Sequence, residues 1–125
     1  MKKGKIWHLA TCTTCQAIIK ETGITTEKFV MQDIKTESIT TDQLAEIQGL
    51  AGSYEAVFSR RAMKYKEWGH KEKALKEDDY KNYILQEYTF LKRPVVIIGN
   101  KIFAGSEKKN VEALKIAVKA LKTNE

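Results

Sequence analysis

The stretch Ile6-Trp7-His8-Leu9-Ala10-Thr11-Cys12-Thr13-Thr14-Cys15 constrains this chain more than any other. It reads as a short apolar strand, a turn and the start of a helix, and both cysteines of the protein sit at that junction. Two cysteines three apart at a helix N-terminus face the same way within one turn. The unpaired backbone N–H groups and the helix dipole there favour a thiolate over a thiol. The dipole contributes up to about 2 kcal/mol, equivalent to about 1.5 pKa units. That is enough to bring a thiol from about 8.5 to about 7. Thr13 and Thr14 carry no charge that would undo this. Cys12, nearer the helix end, is the expected nucleophile, and Cys15 the expected resolving thiol.

Two plainer readings compete. Cysteine pairs also serve as zinc ligands, but a structural site needs four Cys or His ligands. Only His8 and His70 could supply the other two, at a spacing that fits no common finger, so no metal is expected. Two buried, inert cysteines at this spacing are the second alternative. The strand, C-x-x-C and helix in succession favour redox chemistry over both.

Length and charge bound the rest. A chain of 125 residues suits one domain with a single core. Its 42% hydrophobic and 30% charged residues are ordinary for a soluble globular protein. The opening Met1-Lys2-Lys3-Gly4-Lys5 is basic, but the apolar run behind it ends by Ala10, too soon for a signal peptide. No stretch approaches the roughly 20 apolar residues of a membrane span. A cytoplasmic protein without membrane association is therefore expected, where a transient disulfide is in keeping and a lasting one is not. The net charge of +6 favours anionic partners. Much of it comes from scattered lysines, and no recognition helix or basic arm stands out, so direct nucleic-acid binding is not expected.

The first strand is expected over 5–9. Thr11 is the expected cap of the helix that follows, which Gly23 ends. A second strand is expected over 28–34, making a βαβ unit with parallel strands and a right-handed crossover. A long helical middle follows. Thr40 and Gln43 form a capping-box start, and Leu44, Ile47, Leu50 and Ala51 give an apolar stripe up to Gly52. Ser53 is placed to cap a short helical piece through Phe58. The charged stretch 59–76 has no clear pattern, and a helix is expected over 78–91. The aromatic residues of this middle read as packing rather than as stacking platforms. Pro94, the only proline, opens the β-branched run Val95-Val96-Ile97-Ile98. Gly99-Asn100 turns it into an antiparallel partner over 101–104. Ser106 is the expected cap of a last helix, with Val111, Leu114, Val118 and Leu121 as its buried stripe.

A βαβ unit, a ββα unit, C-x-x-C opening the first helix and a proline opening the third strand together resemble the thioredoxin fold. Cys15 and Pro94 lie 79 positions apart (94 − 15), more than in an ordinary thioredoxin or glutaredoxin. The excess is the helical middle. This arrangement resembles the arsenate reductase family (ArsC) and its relative, the redox-sensing transcription regulator Spx, over essentially the whole chain. The resemblance implies an α/β fold with a mixed four-stranded sheet. It also implies one domain over 1–125, with a helical insertion over approximately 40–92 between the second and third strands.

The resemblance also assigns residues. His8 and Cys12 stand where the family has a His near a strand end and its reactive Cys, although His8-Leu9-Ala10 replaces the usual His-Asn-Pro. Gly52 and Arg60, eight apart, match a Gly and an Arg of the helical middle. Arg93-Pro94 matches the Arg-Pro pair before the third strand, with Pro94 expected cis. Arg60 and Arg93 would then stabilise the Cys12 thiolate and hold an anion, because the planar guanidinium grips oxyanions and stays protonated. Arg61 competes with Arg60, since one residue along a helix turns the side chain by about 100°. His8 would orient or acidify Cys12, or else be a satisfied core histidine. Arsenate reductases carry a third arginine before the last helix. Here the stretch reads Ile102-Phe103-Ala104-Gly105-Ser106, with only Lys101 and Lys108 near. Poor arsenate turnover is therefore expected.

The function implied is thiol–disulfide oxidoreduction of a small oxyanion or disulfide. It needs no bound cofactor and is reset by an external thiol reductant of the glutathione, glutaredoxin or thioredoxin type. The alternative is an Spx-like sensor that docks on RNA polymerase through a surface including Gly52. Spx proteins continue into a basic tail, whereas this sequence reaches Glu125 soon after its last helix.

Overall fold

In a computed structural model, residues 3–59 and 75–123 are described. Four strands form one mixed sheet: β1 (Gly4–His8), β2 (Phe29–Asp33), β3 (Val95–Ile98) and β4 (Lys101–Ala104), in the order β2-β1-β3-β4. β1 runs parallel to β2, with Gly4 opposite Phe29 and His8 opposite Asp33. β1 and β3 are antiparallel, with Ile6 opposite Val96, and β3 turns through Gly99 and Asn100 into antiparallel β4. The helices are α1 (Thr13–Thr22), α2 (Thr41–Ala51), α3 (Glu77–Gln86) and α4 (Lys108–Thr123), with short 3-10 pieces at Glu55–Val57 and Tyr88–Phe90. The order βαβ, helices, ββα is that of a thioredoxin-like fold with its helical segment between β2 and β3.

The chain divides into two compact units, Met1–Glu37 with Arg93–Glu125, and Ser38–Lys92. In the first, side chains alternate across the sheet. Ile6, Phe29 and Val96 share one face, and they pack with Ile18 of α1 and with Val111, Leu114 and Val118 of α4. The stripe at 111, 114, 118 and 121 is thus the buried face of α4, as its spacing indicates. Trp7, Val95 and Ile97 alternate to the other face and are buried as well.

In the second unit, Phe58 is the aromatic centre. It meets the Tyr80 ring edge-on at 4.8 Å and stacks on Phe90 at 5.2 Å between centroids. The backbone closes around these rings through a bridge between Phe58 and Leu91. The Glu77 carboxylate accepts the Tyr54 and Glu55 N–H groups at 2.7 and 3.2 Å.

Three local expectations are corrected. The cap of α1 is Cys12 rather than Thr11, because its sulfur accepts the Cys15 N–H. The helix expected over 78–91 ends at Gln86, where Glu87 turns extended. The chain leaves the helix because Phe90 and Lys92 are drawn into pairing, Phe90 O with Ser59 N–H and Lys92 N–H with Val57 O. Ser53 caps the following piece as its position indicates, accepting the Ala56 N–H at 3.1 Å, and that piece is a single 3-10 turn. The last helix starts one residue late for Ser106, since the Val111 N–H bonds the carbonyl of Glu107. The capping box at Thr40 and Gln43 and the glycine caps at Gly23 and Gly52 are present.

Gly4 is fixed by space. A Cβ there would lie 2.6 Å from the Ile97 carbonyl oxygen and 2.6 Å from the Phe29 ring. The backbone oxygen cannot swing away, so Gly4→Ala is expected to cost about 1–3 kcal/mol as an overpacking change. Urea titration should show a lower midpoint at unchanged slope.

Candidate active site

The site grows from the turn between β1 and α1. Leu9 carries that turn: its carbonyl accepts the Cys12 N–H at 3.1 Å and the Gln16 side-chain amide at 3.0 Å. Asp33, at the end of β2, accepts the Ala10 N–H on one carboxylate oxygen (3.4 Å) and the Lys35 N–H on the other (3.0 Å). The loop before Cys12 is therefore tied to the second strand on one side and to the first turn of α1 on the other. Cys12 then takes the cap position with extended backbone (φ −88°, ψ 110°), and its sulfur faces the N–H groups of the helix start. No acidic residue lies in that first turn.

Both cysteines are free thiols. Cys12 is half-exposed, and Cys15, one turn in, is fully buried. Their acidities are split. Partial burial works against ionising Cys12, but it is outweighed by the Cys15 backbone N–H, the Cys15 thiol, the Arg93 charge and the Thr14 N–H. The Cys12 thiol consequently sits below its ordinary value. Burial pushes the Cys15 thiol up, and the neighbouring Cys12 sulfur adds to this, to about 11, with the Leu9 backbone and Arg93 pulling the other way. In this pair the first proton leaves Cys12, and the thiol that remains on Cys15 bonds to the sulfur just ionised.

Arg93 belongs to the same compact unit as the two cysteines, and the Arg93–Pro94 peptide bond is cis. The guanidinium acts on both cysteines by charge. Its Nη1 is buried and has no hydrogen-bond partner among the described residues. His8 is 8% exposed, lies beside Asp33 in the sheet register, and leaves its Nδ1 buried without a partner among the described residues. It makes no hydrogen bond to Cys12 among the described residues. Arg60 and Arg61 lie outside the described residues. The structure thus brings together Cys12, Cys15 and Arg93, with His8 at the base of the loop.

Gln16 and Asp33 are site residues that sequence reasoning missed. Gln16 stands four after Cys12, a spacing that could have suggested a side chain reaching back over the helix start. Asp33 is one residue of a strand end, and nothing local points from it to Ala10. Among the described residues no group of three or more His, Cys, Asp or Glu could hold a metal ion. No helix among them is long and apolar enough to cross a membrane.

Alkylation by iodoacetamide reads the thiolate fraction directly. Below the Cys12 pKa the rate should rise about tenfold per pH unit, and it should level off at a lower pH than for an unperturbed cysteine, with one cysteine modified. Cys15 should stay silent through this range. Arg93→Gln removes a positive charge and so should move the Cys12 midpoint to higher pH. Intact mass at each pH gives both outcomes, and a midpoint unmoved by Arg93→Gln would remove Arg93 from the site.

The comparisons with known proteins agree with this fold. The model of the ArsC family matches residues 7–114. A protein from Bacteroides fragilis, named as ArsC family related, superposes with a TM-score of 0.72 at 21% identity, over 90% of this chain and 97% of its own. The arsenate reductase from Vibrio cholerae gives 0.69 at 17% identity, over 89% and 96%. An arsenate reductase (ArsC) related protein from Brucella melitensis gives 0.65 at 18% identity, over 90% and 93%. The comparison with curated protein sequences gives no match. At these identities the structural neighbours speak for the fold, and the family model, which spans most of the sequence, settles the kinship: the chain belongs to the ArsC family.

Proposed function

We propose that this protein is a cytoplasmic thiol–disulfide oxidoreductase that works through Cys12 and Cys15. The observation that carries the reading is the split between the two thiols, one lowered and half-exposed, the other raised to about 11 and buried. An attacking thiol must be ionised and reachable, whereas a resolving thiol can stay protonated until the first has reacted. The Cys12 thiolate attacks a sulfur of a small disulfide, forming a mixed disulfide and releasing one thiolate. Cys15 then loses its proton and attacks the Cys12 sulfur, releasing the second half. The protein dithiol gives up two electrons, and an external thiol of the glutathione, glutaredoxin or thioredoxin type returns them.

Arg93 gives the site its anion preference. A buried guanidinium nitrogen without a partner among the described residues is suited to an oxyanion or to the developing thiolate. A small oxyanion is the second substrate class. The stretch Lys101–Ser106 has no arginine, so arsenate should be turned over poorly beside a small disulfide.

The regulator reading rests on Gly52. It is exposed in the left-handed region (φ 96°) at the end of α2, and among the described residues nothing lies within 4 Å of where a Cβ would stand. Capture of RNA polymerase by the full chain, in the absence of any disulfide reduction, would favour that reading. The deciding experiment is thiol-dependent reduction of 2-hydroxyethyl disulfide and of arsenate by the full chain, beside Cys12→Ser.

A further inference from the structure

A groove of about 450 Å³ runs between α1 and the start of α4, both in the unit that carries the cysteines. Thr14, the second of the two residues between Cys12 and Cys15, lines it, and the Thr14 backbone N–H faces the Cys12 sulfur. Its floor is apolar, formed by Ile18 and Val111, both nearly buried. Its rim is bipolar: Lys108 supplies a cation, and Glu21 and Glu112 supply carboxylates. Glu21 also meets Lys115 at 3.9 Å, a long and partly exposed pair that holds the carboxylate only weakly. Small-ligand sites combine an apolar bed with a few placed charges in a volume of this order.

We propose that this groove binds the α-amino-acid head of a small disulfide substrate and delivers its sulfur to Cys12. The complementarity is threefold. Lys108 takes the carboxylate, Glu112 takes the ammonium, and the methylene lies over Ile18 and Val111. A ligand with only one of the two charges leaves one rim group unused, and a neutral disulfide leaves both. The inference rests on Cys12 being the attacking thiolate. The first step is balanced as before: a bond forms between Cys12 and the nearer sulfur, the disulfide bond breaks, and the other half leaves as a thiolate. Cys15 then displaces the bound half, so the protein loses two electrons and the disulfide becomes two thiols.

The test uses the fully reduced full chain in a single turnover, with no added reductant. Four disulfides are compared: cystine, cystamine (no carboxylate), 3,3′-dithiodipropionate (no amine) and 2-hydroxyethyl disulfide (neither). After acid quenching, the remaining thiols are alkylated and counted by intact mass. Each rate is divided by that of 2-mercaptoethanol with the same disulfide. Cystine should lead the other three by about tenfold, the scale of a partly exposed charge-assisted contact. Lys108→Met should cut the lead over cystamine to about twofold and leave that over 3,3′-dithiodipropionate, and Glu112→Gln should do the reverse. In parallel, S-methylcysteine, which cannot react, should shift the amide resonances of Thr14, Ser106, Lys108 and Glu112. Equal rates for all four disulfides, a lead that survives both substitutions, or shifts away from α1 and α4 would overturn the groove while leaving Cys12 as the nucleophile. No oxidation by any disulfide would instead sink the Cys12 reading, and the groove proposal with it.

Discussion

Cys12→Ser is expected to abolish reduction of 2-hydroxyethyl disulfide, a loss of roughly three orders of magnitude or more, the scale seen when a nucleophile is removed. A serine hydroxyl at the same cap would accept the Cys15 N–H that the sulfur now accepts at 3.4 Å. Serine is also a preferred cap, so α1 should form and stability should hold. Loss of activity without loss of fold is therefore the specific expectation, read by the disulfide assay beside a urea titration. Cys15→Ser should behave differently. The first attack survives, the resolving thiol is gone, and the mixed disulfide on Cys12 should accumulate and be visible by intact mass. Steady reduction that persists in Cys12→Ser would place the chemistry elsewhere in the chain.

The elements of this site differ in how far they could be read from the chain. Cys12, Cys15 and the helix that begins between them are legible because everything they need is local: an apolar run, a spacing of three and a glycine where the helix stops. Arg93-Pro94 is legible for a similar reason, since a lone proline before a β-branched run marks a strand start. The cap was misplaced by one residue. Capping preference speaks for the hydroxyl of Thr11 and not for a sulfur, yet the Leu9 carbonyl turns the chain so that Cys12 takes the position. The end of α3 was misread because what stops it is the pairing of Phe58 with Leu91, 33 positions apart (91 − 58). Asp33 was out of reach for the same reason. Its contact with Ala10 exists only once β1 and β2 lie side by side.

Phe29→Ala is expected to be the costliest single change in the unit that bears the cysteines. The ring is 1% exposed and packs in the cluster that joins β1 and β3 to α1 and α4. Truncating such a residue removes about 3–5 kcal/mol, a large share of the roughly 5–15 kcal/mol that holds a small domain folded. Phe29 also sits directly opposite Gly4 in the register, and its ring closes the space above that glycine. The two positions should therefore couple. Gly4→Ala should cost less in the Phe29→Ala background than alone, because one of the two obstacles to its Cβ is gone. The saving should fall short of the whole, since the Ile97 carbonyl oxygen remains 2.6 Å from where that Cβ would lie. Urea titrations of the two single variants and the double variant give the coupling directly. Should Phe29→Ala prove unfolded, Phe29→Leu, which keeps most of the apolar volume, gives the same cycle at smaller amplitude. Strict additivity would mean that the ring and the glycine do not share the space between β1 and β2, and the packing account of this strand pair would fail.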